Sequence, residues 1–279
     1  MGKTMKTPTF ISAFIVITAT CLAQPPRIDK PPESVPHVQD FKLRITFHNA
    51  GAVATGVAEI VIRNGVGYQF LSDKNSPVSI IDWKQGTVTL LDLDRQIKTV
   101  VTAKQLDQFL GELHDDADRM VSIEEKSKSR SDRVSAEITR PLIDPNFEES
   151  YDEKAHLLTL KNRSVTVEMK GEVETDEARR DAYASCLIAV IGLGSMRDPD
   201  LLPPFTHLEA FKTMMLTYKL RPLEVTIIYK LAGPPKKMRI NYELVSKLSG
   251  REIEAIARIV KLNAITRAVG LNEFDGPVE

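Results

Sequence analysis

Few side chains in this sequence have the type and spacing that chemistry needs. His114-Asp115-Asp116-Ala117-Asp118 sets an imidazole and a carboxylate four residues apart, which on a helix share one face and could grip a cation. Two ligands do not make a site, and the polar side of a helix is where such residues belong in any case. Cys186 could act as a nucleophile beside a histidine, but it sits in the apolar run Ser185-Cys186-Leu187-Ile188, where a free cysteine packs as a small hydrophobe. Gly192-Leu193-Gly194-Ser195-Met196-Arg197 lacks the third glycine of a dinucleotide loop and the glycine pair that flanks a nucleophilic serine, so it reads as the end of a helix. Asp92 and Asp94 lie at a strand end beside Arg95, where turn formation explains them better than paired acid and base work. Asn162-Arg163-Ser164 marks a hairpin turn and is a glycosylation sequon only in a eukaryotic secretory route. These readings assign no catalytic residue, no cofactor and no metal, and the expectation is a protein that is not an enzyme.

The elements that would carry any site begin near Val38. Phe41, Leu43, Ile45 and Phe47 alternate with Lys42, Arg44, Thr46 and His48, the period-2 pattern of a strand with one dry face. Ala58, Ile60 and Ile62 continue that face, and Asn64-Gly65 is a hairpin signal. Short strands follow around 68–71, 78–83, 87–93 and 96–102, separated by turn-forming clusters short enough to force antiparallel neighbours. At Thr102 the period changes. Thr102 and Gln105 form a capping box, and Leu106, Phe109, Leu110, Leu113, Ala117 and Met120 fall at helical spacing. The basic run Lys126-Ser127-Lys128-Ser129-Arg130-Ser131 reads as the start of a mobile surface insertion over about 126–147.

Strands resume at 156–161 and 164–170. A helix from about Thr175 holds the charge-free stretch 182–196, too short for a membrane span and therefore a buried core helix. A second capping box, Thr206 to Glu209, opens a helix to about Tyr218. Leu223, Val225, Ile227, Tyr229 and Leu231 then face Met238, Ile240, Tyr242 and Leu244 across Gly233-Pro234-Pro235, and a third box, Ser249 to Glu252, starts the last helix. The expected class is α+β: about nine strands in an antiparallel, curved, half-barrel-like sheet, with helices packed on its apolar face.

Ahead of this domain, Lys3 and Lys6 precede the 14-residue apolar run Phe10 to Ala23, the layout of a secretory signal peptide cut after Ala23. Thr18-Ala19-Thr20-Cys21 lacks the small residue before cysteine that lipidation requires, so simple cleavage is expected. Residues 24–37 hold five prolines and read as a linker, leaving 38–279 as one domain. Cleavage would remove two lysines and no acid, taking the formal net charge from −1 to −3. That balance offers no footprint for nucleic acid, and no second cysteine survives to pair with Cys186. The expected location is the periplasm or cell envelope, with no transmembrane segment in the mature chain.

One resemblance extends this reading. The stretch Val61-Ile62-Arg63-Asn64-Gly65-Val66-Gly67-Tyr68-Gln69-Phe70, followed by Ile80-Ile81-Asp82-Trp83 and by Val88 through Lys98-Thr99, resembles the cadence of the LolA/LolB-like lipoprotein carriers over residues 38–125. The chain also looks like uncharacterised exported proteins of planctomycete-like bacteria. The carrier family implies an incomplete barrel whose concave apolar face holds acyl chains beneath helices, and so a lipid or lipidated protein as partner. On that expectation the ligand face comprises Phe41, Leu43, Ile45 and Phe47 with Val225, Ile227 and Tyr229, closed by Leu106, Phe109 and Leu113 of the helix at 103–121. The alternative is a structural or interaction module of the envelope whose sheet core is solid. The two differ in whether the dry face leaves a cavity of several hundred Å³.

Overall fold

The computed structural model describes residues 39–49, 54–71, 77–197, 204–230 and 234–275, and the expected signal peptide and proline-rich linker lie outside them. β1 (Phe41–His48) to β6 (Ile97–Thr102) form a continuous meander through β2 (Ala54–Arg63), β3 (Val66–Leu71), β4 (Val78–Asp82) and β5 (Thr87–Asp92). Two helices follow, α1 (Ala103–Glu125) and α2 (Arg130–Ile143). Next come β7 (Glu148–Asp152), β8 (Leu157–Lys161), β9 (Val165–Val173), α3 (Glu177–Arg197) and α4 (Phe205–Lys212). The chain ends with β10 (Leu220–Tyr229), β11 (Lys236–Val245), α5 (Gly250–Ile265), β12 (Arg267–Ala268) and α6 (Leu271–Phe274). All twelve strands join one open, curved sheet in the order β12-β6-β5-β4-β3-β2-β1-β11-β10-β9-β8-β7, antiparallel except where β12 runs beside β6.

Local chemistry sets the turns. Asn64 and Gly65 adopt φ of +52° and +75°, the left-handed pair that closes a two-residue hairpin. Asp92 accepts from the backbone N–H of Asp94 and Arg95, so the carboxylate pair weighed above is a turn. Asn162 does the same for Ser164 and Val165. The capping boxes at Thr102 and Ser249 both form. The one expected at Thr206 does not: α4 starts at Phe205, and the Thr206 hydroxyl donates instead to the Leu142 carbonyl. Gly192 to Arg197 form the last turns of α3, the helix end expected there.

The expected mobile insertion at 126–147 is corrected. Ser129 caps α2 through the Asp132 N–H, and the Arg140 guanidinium reaches both Asp118 and Glu125 on α1. A charged, serine-rich stretch is thereby tied down as a helical hairpin, sealed by Val121, Ala136 and Ile143. β7 and the two-residue β12 are strands that alternation could not announce. The β7 sequence Glu-Glu-Ser-Tyr-Asp is almost wholly exposed, as suits an edge.

The helices divide between the two faces. The main core places Leu43, Ile45, Ile60, Ile62, Leu90 and Val225 against α3 and α4. On the opposite face Val61, Tyr68, Val78, Ile80 and Leu91 meet Ile256 and Ile259 of α5. The consecutive apolar residues Ile60-Val61-Ile62, Ile80-Ile81 and Leu90-Leu91 are the trace of strands dry on both sides. Lys42 holds α5 to β1 through Glu252 at 2.6 Å. Each partner stabilises the other's charge, Lys42 raised and Glu252 lowered from their ordinary values mainly by this hydrogen bond.

Cys186 is fully buried, and burial pushes its thiol well above the ordinary range. Its Sγ lies 2.7 Å from where a Cβ on Gly67 would stand, so α3 approaches β3 this closely only because position 67 has no side chain. Gly67→Ala should therefore cost about 1–3 kcal/mol through overpacking, and Cys186→Ala about 1 kcal/mol through the lost sulfur. Denaturant unfolding of the double variant should show a total well below the sum, because the second change removes the first one's clash. Strict additivity would refute the contact.

Candidate functional site

A cavity of about 450 Å³ lies between the middle of the sheet and the helices above it. Its floor is a cross-strand ladder: Ile45 and Phe47 of β1 pair with Tyr242 and Ile240 of β11, and Met238 of β11 pairs with Ile227 of β10. Residues two apart on each strand share the face, so the alternation read from sequence delivers these side chains to one surface. Its roof is Leu187, Val190, Ile191, Gly194 and Ser195 of α3 with Pro204, His207 and Phe211 at and within α4. The gap exists because α3 presents Gly194 and Ser195 where larger residues would have reached the sheet. A Cβ added at Gly194 would meet nothing within 4 Å.

The side chains expected to form a ligand face separate into three groups. Ile45, Phe47, Ile227 and Tyr229 line the cavity. Phe41, Leu43 and Val225 share its face but are packed in the solid core beside it. Leu106, Phe109 and Leu113 do not line it: α1 packs chiefly on α2 and α3, and Leu106 abuts the glycine gap at Gly192. The closing elements are α3 and α4. Their part was hidden because α3 is apolar nearly all round, as a helix buried on more than one side must be, and so displays no single face to read. The charge-free stretch 182–196 was the available signal.

Four polar groups interrupt the apolar lining. His207 Nε2 and the Tyr229 hydroxyl are 2.7 Å apart and satisfy each other. Burial lowers His207 to about 4 and raises Tyr229 to about 12, so both are neutral over the physiological range. Ser195 donates to the Ile191 carbonyl at 3.3 Å. Tyr242, 6% exposed, packs its ring edge-on to Phe211, and burial drives its phenol far above the usual value.

The remaining chemistry-bearing residues are engaged elsewhere. His114 meets Asp144 at 2.9 Å and the Phe205 ring edge-on, beside a shallow cleft between α2 and α4. Among the described residues no three His, Cys, Asp or Glu side chains are grouped to hold a metal ion. Before α3, Glu174 is 5% exposed and accepts two 2.8 Å bonds from Arg179. Burial would raise its carboxyl, but the Arg179 bonds and the Asp176 N–H outweigh that and hold it below the ordinary value. This pair anchors the start of α3.

The hydroxyl–imidazole contact in the lining, Tyr229 with His207, joins two groups that burial keeps neutral, and no Asp, Glu, Lys or Arg lines the cavity. What it can do is bind something apolar with sparing hydrogen bonding. Compared with models of known protein families and with curated protein sequences, the chain matches none. Among the described residues no helix is long and apolar enough to cross a membrane.

His207 makes acid stability a direct report on this site. Its folded value near 4 lies below the ordinary 6.5, so the unfolded chain takes up the proton first as pH falls. The stability this contributes is complete above about pH 6.5 and is lost progressively toward pH 4, by at most roughly 3 kcal/mol. Urea unfolding of wild type and His207→Gln from pH 7 to 4 should show a smaller loss in the variant over that window. Parallel profiles would mean the imidazole is already free to ionise.

Proposed function

We propose that the protein is an exported, non-enzymatic binding protein that carries a small apolar ligand of the lipid class in the cavity between β1, β10, β11 and helices α3 and α4. The observation that carries this reading is the cavity itself: about 450 Å³ walled mostly by aliphatic and aromatic side chains, within the range that small-molecule sites occupy. A cavity of about 150 Å³ takes up benzene, so this volume suits roughly three times as many carbons, on the order of 18. Each methylene removed from water contributes about 0.8 kcal/mol, which leaves ample surplus over ordering costs.

The signal-peptide pattern supports an envelope or periplasmic location, and the LolA/LolB-like cadence at 38–125 agrees with a ligand of acyl character. Native mass spectrometry of gently purified protein should find a copurified lipid-sized mass, and a fluorescent fatty-acid probe should bind saturably and raise the melting temperature. Gly194→Leu fills the open space without a clash at its Cβ and replaces a helical glycine. It should hold or raise the melting temperature and abolish probe uptake. A wild-type protein that takes up no probe and retains no lipid would leave a structural envelope module as the function.

A further inference from the structure

The cavity opens toward one end of the sheet. Its lining is tight at Ile45, Leu187 and Phe211, each 3% exposed, and loosens through the partly buried Phe47 and Met238, toward the end of β1 and the start of β11. Lys236 stands opposite Tyr229 in the β10–β11 register and two residues before Met238, so it shares their face of the sheet and flanks this mouth. The same end of β8 to β11 carries Lys161, Arg163, Lys230, Lys237 and Arg239. No Asp or Glu occurs between Leu160 and Val167, between Val225 and Ile240, or between Thr46 and Ala58, although the whole chain has a net charge of −1.

At the far end of these strands the bases are neutralised: Lys42 by Glu252, Arg221 by Glu172 and Glu174, and Arg179 by Glu174. At the mouth Arg163 pairs with Glu137, but Lys161, Lys230, Lys236, Lys237 and Arg239 form no ion pair among the described residues. Glu148, opposite Lys161, and Glu168, opposite Thr226, leave the bases in excess. We propose that this basic rim docks the cavity mouth onto a membrane surface rich in anionic phospholipids, so that the ligand passes between bilayer and cavity without crossing water. The surface potential of such a bilayer attracts lysines and arginines within about a Debye length, and the acidic remainder of the molecule turns the mouth toward it. The inference rests on the cavity's being a lipid site and adds where that site is filled and emptied.

The test uses vesicles of three parts phosphatidylglycerol to seven of phosphatidylcholine and protein purified as the cell processes it. Flotation should show binding to these vesicles, none to pure phosphatidylcholine, and release as salt rises. Lys230→Gln, Lys236→Gln and Lys237→Gln together should weaken binding about fivefold per lysine, roughly a hundredfold in all. Lys84→Gln, Lys104→Gln and Lys261→Gln remove the same charge from exposed positions elsewhere and should leave binding unaltered. Both triple variants should melt as wild type and take up a fluorescent fatty acid from solution, since none of these lysines lines the cavity. Transfer of that probe from anionic vesicles should slow in the first variant alone. Equal binding to neutral vesicles, no binding to anionic ones, or equal weakening by both variants would overturn the docking surface while probe uptake keeps the apolar site intact. A wild type that binds the vesicles but takes up no probe would overturn the cavity's role instead, and with it the passage of a ligand at this surface.

Discussion

The pairing of β1 with β11 is the constraint on which the rest of the molecule depends. Seven consecutive partners, from Lys42 with Val245 to His48 with Arg239, join the meander β1–β6 to the strands β7–β11. Without it there would be two smaller sheets, each with an exposed edge, and α3 would have no platform broad enough for its apolar surface. The cavity floor straddles this same ladder, since Ile45 and Phe47 belong to one half and Tyr242, Ile240 and Met238 to the other. Binding surface and structural seam are therefore one set of residues.

Packing on the two faces follows different rules. Over β2 to β5 the sheet is dry on both sides, and α5 fills its face with Ile256 and Ile259 against large aliphatic partners. On the other face α3 changes character along its length. Tyr183, Cys186 and Leu187 interlock with the strands, as the Gly67 contact shows, whereas Gly194 and Ser195 fall short of them. Close packing is thus relinquished locally by a change in side-chain size, with the backbone architecture unaltered. The His207–Tyr229 pair sits in the same region, so this cavity also holds an imidazole whose pKa burial has lowered.

Much of this was legible in the sequence, and what was not has identifiable causes. Alternation at 41–47 and 223–244 specified strands and their buried faces because a residue's side follows from its parity. Asn64-Gly65 and the boxes at Thr102 and Ser249 are local devices that work without tertiary help. Thr206 failed as a cap because a tertiary acceptor, the Leu142 carbonyl, took its hydroxyl. α2 looked like a loop because its order comes from Arg140 bridging to α1, a contact that composition conceals. Periodicity identified α1 as amphipathic but carried no information on which element its apolar side would meet. That is why Leu106, Phe109 and Leu113 were assigned to a cavity they do not enter.

The β1–β11 seam also governs when the fold can exist. Its partners lie about 200 residues apart, and the last strand, β12, returns to pair with β6. Arg95 further binds the carbonyls of Glu273 and Phe274. Closing loops of this length is entropically costly and slow, and none of these contacts can form while the C-terminal third is still missing. A chain emerging from the ribosome therefore cannot complete its sheet until Arg267–Ala268 are available to pair with β6. Until then both halves of the sheet keep an open edge, so the nascent chain holds unpaired strands for most of its synthesis.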